Sequence, residues 1–242
     1  MNRLVERTKE FAIECTHIEY PDTLYVYHPL LYAWNFHKKY LELFVQEHTR
    51  TLFLGMNPGP FGMAQTGIPF GEVNVVREYL QINEQLQDIP PTHKKRPIDG
   101  LNCKRSEVSG RRMWALMQSR YPSSSQFPPH VAIMNYCPVV FVDRGATGKN
   151  IIPEKIVLEV RKKLEQVCDN YLDDVITMIK PKNVVGIGQY AKKKLDLSIS
   201  RLKQDIYVTS ILHPSPANPK ANTGWALIVE DHLVHEHIWN AR

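Results

Sequence analysis

Residues 55–71 read GMNPGPFGMAQTGIPFG, with five glycines and three prolines in seventeen positions, beside one asparagine and two phenylalanines. The four residues before them, Thr51-Leu52-Phe53-Leu54, have the composition of a buried strand. A core strand that runs directly into the most turn-prone segment of the chain is not followed by acid–base groups. It is followed by residues that favour close backbone approach and a preset shape, since glycine lacks a Cβ and proline fixes φ.

Working outward, Val131-Ala132-Ile133-Met134, ending at Asn135, reads as a second strand. Val184-Val185-Gly186-Ile187 reads as a third, and Tyr207 to Leu212 as a fourth. Helical spacing runs over 1–14, 30–47 and 72–86, and from Pro153 to Ile179, where Lys180-Pro181 stops it. Ser109 is expected to cap a helix through Met117. Residues 88–108 are polar and proline-bearing, with the basic run His93-Lys94-Lys95-Arg96, and read as an exposed connection. Short apolar strands alternating with helices predict an α/β fold, a three-layer α/β/α arrangement with a central, mostly parallel four-stranded sheet. One domain over 1–242 is expected, with 1–24 as an N-terminal extension. In such a sheet ligands bind outside the carboxyl ends of the strands, so the four tails there are the segments to read.

The totals narrow the class. With 242 residues, 43% hydrophobic and 23% charged, the chain is an ordinary globular one. A net charge of +5 suits a polyanionic partner without requiring one. The start, MNRLVERTKEF, carries both charge signs, and no apolar run reaches the roughly 20 residues of a membrane span, so an intracellular protein with no membrane partner is expected. Cys15, Cys103, Cys137 and Cys168 are each more than thirty positions apart and predict reduced, unlinked thiols. His232, His235 and His237 lack the spacing of paired helical ligands, so no metal is expected. The third tail, Gly186 to Ala191, matches a dinucleotide-binding fingerprint. Only one strand–helix step follows it, so a tight turn with no cofactor is the expectation.

The first tail GMNPG, the second tail Asn135-Tyr136-Cys137-Pro138 and the fourth, HPSPANPKANTGW at 213–225, resemble the uracil-DNA glycosylase superfamily. The long first and last motifs are most similar to its single-strand-selective monofunctional branch. The resemblance implies hydrolysis of the bond between uracil N1 and C1′ of deoxyribose. In that reaction the sugar gains oxocarbenium character and the base leaves as an anion. It casts Asn57 as the residue orienting water and His213 as the donor to the anionic base. Asn135 then reads uracil N3–H and O4, and Phe70 stacks on the extruded base. Met56 and Gly59 approach the base through backbone. Gly59 leaves room near C5, where a bulky aromatic would block oxidised pyrimidines such as 5-hydroxymethyluracil.

The resemblance also assigns DNA contacts. Ser215, Pro216, Ala217, Asn218, Pro219 and Lys220 form a stiff loop that touches a flanking phosphate and wedges into the gap. Ala217 stands where relatives often carry a basic residue, which Lys220 offsets only in part. Gly145, Gly148, Lys149 and Asn150 resemble a second DNA-contacting segment leading into a helix. No lysine falls inside the base-binding motifs, so no Schiff-base lyase step is expected. The implied partner is DNA, single- and double-stranded, with a monomeric enzyme in the nucleus handing its product to abasic-site repair enzymes. A module that binds damaged DNA without cleaving it is the rival reading.

Overall fold

Four parallel strands carry the molecule. The computed structural model describes residues 2–241. Its strands are β1 (Leu24–Tyr27), β2 (Thr51–Gly55), β3 (Val131–Asn135), β4 (Val140–Asp143), β5 (Asn150–Ile151), β6 (Asn183–Ile187) and β7 (Tyr207–Ile211). The helices are α1 (Asn2–Glu14), α2 (Pro29–Tyr32), α3 (Trp34–Phe44), α4 (Met63–Thr66), α5 (Val108–Arg120), α6 (Leu158–Ile179), α7 (Gln189–Leu202) and α8 (Trp225–His235).

The main sheet has the order β3-β2-β6-β7, and every pairing is parallel. All residues of β2 and β3 are buried. A strand hidden on both faces needs cover on both faces, which is why these strands read as continuous apolar runs instead of alternating ones. The parallel ladder continues past the strand ends, where Tyr136 N–H donates to Gly55 O and Cys137 N–H to Met56 O, each at 2.9 Å. Parallel order puts the carboxyl ends of β2, β3, β6 and β7 at one edge. The four tails meet there.

Several local expectations are corrected. A second sheet, β1-β4-β5, is antiparallel and was not expected; its strands are too short for their alternation to stand out. The helix expected over 30–47 breaks at Ala33, because the Gly67 turn packs directly on Ala33. The helical spacing at 72–86 yields only a π-helical turn at Val75–Tyr79, ended by Gln81 at φ +55°. The long helix starts at Leu158, after a 3₁₀ turn at Pro153–Lys155. The helix expected over 1–14 begins at Asn2, and Met1 lies outside the described residues. It packs on α6, with Phe11 stacked on Tyr171 at 3.9 Å and Arg7 paired with Asp174 at 2.6 Å.

Gln65 ties the first tail to the 88–108 connection. Its side chain is fully buried and spends all four of its bonds. Nε2 donates to Pro60 O and Pro97 O, each at 2.9 Å, and Oε1 accepts from Asp99 N (2.8 Å) and Gly100 N (3.1 Å). Gln65→Leu keeps the volume and strands four backbone groups. Thermal and denaturant unfolding should show a loss of about 2–4 kcal/mol, or roughly 5–15 °C in Tm. An unchanged Tm would show that the amide is replaceable.

Candidate active site

Three of the four tails deliver side chains to the edge of the sheet. Asn57 stands two residues past β2 and is partly exposed. Its Nδ2 donates to the carbonyl of Pro58 at 3.2 Å, which turns Oδ1 outward as an acceptor. Asn135 ends β3. It is 7% exposed; its Nδ2 approaches Met63 Sδ at 3.1 Å and its Oδ1 is buried with no partner. A thioether sulfur accepts but cannot donate, so Met63 fixes which end of the amide faces it. The orientation of the Asn135 amide is thereby fixed.

Phe70 lies across the same spot. Its backbone sits at φ +55°, and its ring centroid is 6.5 Å from that of His213. Both Asn135 and Phe70 converge over Gly55. A Cβ built on Gly55 would lie 2.2 Å from Asn135 Oδ1 and 2.6 Å from Phe70 Cε2. Glycine is therefore required at the last position of β2.

His213 follows β7. Ser215 N–H donates to its Nδ1 at 3.1 Å, so in the neutral ring the proton sits on Nε2. Burial pushes the His213 pKa down, which favours that neutral form. Gly188, at φ +90°, backs the ring; a Cβ there would stand 3.3 Å from His213 Cβ. At Gly186 a Cβ would meet the backbone of Lys192 at 2.3 Å. The glycines of the fingerprint therefore have steric duties, one of which is to seat His213.

The last loop is internally braced. Ser215 Oγ accepts from Ala217 N (3.2 Å), Asn218 Oδ1 accepts from Lys220 N (3.2 Å), and Trp225 Nε1 donates to Leu212 O at 2.7 Å. The Ser215 hydroxyl keeps its own proton to donate outward. Pro216, Ala217, Pro219 and Lys220 are exposed.

One expectation changes. Gly145, Gly148, Lys149 and Asn150 form a hairpin between β4 and β5 and do not lead into a helix, since α6 begins only at Leu158. A helix-terminal partial charge therefore does not reach Lys149. The hairpin is joined instead to the basic run: His93 Nε2 lies 2.9 Å from Gly145 O, and Gly148 packs on the His93 ring. Glu107 closes the side of Gly59 on which a side chain would stand. A Cβ there would lie 2.1 Å from Glu107 Oε2. The carbonyl of Met56 accepts from Cys137 N–H at 2.9 Å, and that of Gly59 from Ala64 N–H at 3.1 Å.

Glu107, Arg112 and Met63 were missed, because nothing in their sequence neighbourhood marks them as facing a loop far away in the chain. Glu107 caps α5 but makes no side-chain capping bond. Its carboxyl turns to the first tail and accepts from the backbone of Phe61 and Gly62, while Oε2 stays buried without a partner. The helix already begins at Val108, so Ser109 lies in its first turn and is not the cap.

A family model described as the uracil DNA glycosylase superfamily matches residues 43–230, and the chain belongs to that superfamily. Its members are hydrolases that act on DNA, and this chain is one of them. Among curated relatives it is similar to the single-strand selective monofunctional uracil-DNA glycosylase of Rattus norvegicus, 38% identical over 230 residues, covering 95% of this chain and 82% of the relative. The Bos taurus protein of the same description is 39% identical over 208 residues, covering 86% and 76%. The crystal structure of Pedobacter heparinus SMUG2 aligns with a TM-score of 0.69 over 97% of both chains, at 16% identity, a likeness of fold.

Burial lifts the Glu107 carboxyl from the usual 4.5 to about 7, against the two backbone donors that lower it and with a smaller push from Glu72. A raised carboxyl stabilises the fold below about pH 4.5, and that stability is lost as pH rises to about 7, some 3 kcal/mol in all. Glu107→Gln should remove this slope. Against wild type it should gain up to about 3 kcal/mol between pH 5 and pH 8 in denaturant unfolding. Parallel curves for the two proteins would place the ionisation elsewhere.

Proposed function

We propose that the protein removes uracil, and uracil with a polar oxidised 5-substituent such as 5-hydroxymethyluracil, from single- and double-stranded DNA. The product is an abasic site in an unbroken strand. One observation carries this reading: the buried, unpartnered Asn135 Oδ1 beside the Phe70 ring. A buried acceptor without a donor costs about 1–3 kcal/mol and is offset when a ligand supplies one.

The nucleotide leaves the stack and its base rests on Phe70, worth about 1–3 kcal/mol. Asn135 Oδ1 accepts from uracil N3–H, and the second proton of Nδ2 serves O4. Cytosine brings a bare N3 and an amino group, so a lone pair would face Oδ1. The C1′–N1 bond breaks with its electron pair going to the base. Negative charge grows on O2, where the neutral His213 Nε2–H donates to it. Water held by Asn57 Oδ1 adds to C1′ and gives up a proton, and the departing base takes up one. A weak nucleophile suffices against an oxocarbenium-like sugar, so an amide does what a strong base would otherwise do.

An end-labelled oligonucleotide with one uracil tests this. Incubated without added metal or cofactor, it should break only after alkali, and a duplex should behave likewise. No alkali-labile site on either substrate would leave only the damage-binding reading. His213→Ala should lower single-turnover excision roughly 10²–10³-fold with the fold intact. Asn135→Asp, which keeps an acceptor and loses both donors, should cost roughly tenfold to a hundredfold on uracil. Wild-type rates in either variant would remove that residue from the mechanism.

A further inference from the structure

Helix α5 carries no group assigned to the base, yet its first turns touch both the first tail and the last. Glu107, at its cap, enters the first tail beneath Gly59 and Gly62. Gly110 lies under the stacking residue, where a Cβ would be 2.3 Å from Phe70 O. Arg112, partly buried, reaches the last tail: Nη1 donates to Pro214 O at 3.0 Å and Nη2 to Asn222 Oδ1 at 2.9 Å. Asn222 in turn donates through Nδ2 to Pro216 O at 3.0 Å. One guanidinium therefore grips both ends of the loop that begins at His213.

We propose that Arg112 is a positioning residue, and that through it the start of α5 holds the His213 loop in register with Asn57 and Phe70. Arginine fits the task because its planar fork presents donors in fixed directions to two separate acceptors, which a lysine cannot do. None of the ion pairs among the described residues includes Arg112. Its charge is spent on a carbonyl and an amide, so the geometry of the loop, not neutralisation of a carboxylate, accounts for its place. The loop's other bonds are all internal or close in sequence, as with Ser215, Asn218 and Trp225. Arg112 supplies the tie to a distant element.

The kinetic readout rests on the glycosylase reading, so a second readout is chosen that does not. In Arg112→Ala, backbone amides of residues 215–222 should exchange hydrogen at least tenfold faster while the sheet amides stay unchanged. Single-turnover excision should fall about tenfold on duplex DNA and less on single strands, where no helix has to be opened. Because the residue positions a loop and does not touch phosphate, the slope of log binding against log salt should be unchanged. Arg112→Lys should not restore the rate. Asn222→Ala should reproduce the loss, and the double variant should add nothing to it. Unchanged exchange and rate would overturn the proposal. So would rescue by lysine together with a salt slope lowered by about one in the alanine variant, which would make Arg112 a phosphate contact. Additive losses in the double variant would overturn it as well. If the wild type excises nothing, the functional reading fails, and the exchange result still decides the role of Arg112.

Discussion

The constraint on which the rest depends is that a loop inside a protein must find partners for its own peptide groups. Residues 62–71 are all buried, and a buried carbonyl without a donor costs about as much as a lost hydrogen bond. Side chains of the loop itself and of distant elements meet that demand. Tyr32 donates to Ala64 O, His37 Nδ1 lies 2.7 Å from Gly67 O, Gln65 reaches Pro60 O, Thr66 reaches Gly71 O at 2.8 Å, and Trp114 Nε1 reaches Pro69 O at 3.3 Å. Burial holds the His37 pKa near 4, so its ring stays neutral and serves as an Nδ1–H donor. The loop is thus as fixed as a strand while keeping a shape no strand has.

That rigidity is what the chemistry asks for. An amide orients water, and a neutral imidazole supports an anion, only if both are already in place when charge develops. A mobile loop would lose the advantage to the entropy of ordering. The glycines admit what is packed against them: Phe70 and Asn135 over Gly55, Glu107 against Gly59 and Gly62. The prolines limit the alternatives.

The sheet was legible because its four strands are buried on both faces and announce themselves as apolar runs. The strand-end tails were legible because glycine, proline and asparagine cluster there. Phe70 lies beside both Asn135 and His213 at one edge, and Asn57 stands two residues past β2 on the same edge. What stayed hidden was set by contacts distant in sequence. Glu107 reads as one more charge in a polar connection until Gly59 and Gly62 are seen to leave it a place. Lys149 reads as a residue before a helix until the hairpin to β5 is formed. The small sheet escaped notice because β5 is only two residues long.

Ser215 shows how binding and chemistry are joined in one element. Its N–H fixes the tautomer of His213, while its Oγ accepts from Ala217 and shapes the tip of the loop. Its hydroxyl proton remains to face outward. In the proposed complex, a strand of DNA pressed on that tip would act on the residue that sets the direction of the His213 proton. With Nδ1 already accepting from the backbone, the ring cannot turn its donor away from the base without losing a bond. In the proposed reaction, His213 owes its role less to an unusual pKa than to a backbone that leaves a common side chain one useful way to stand.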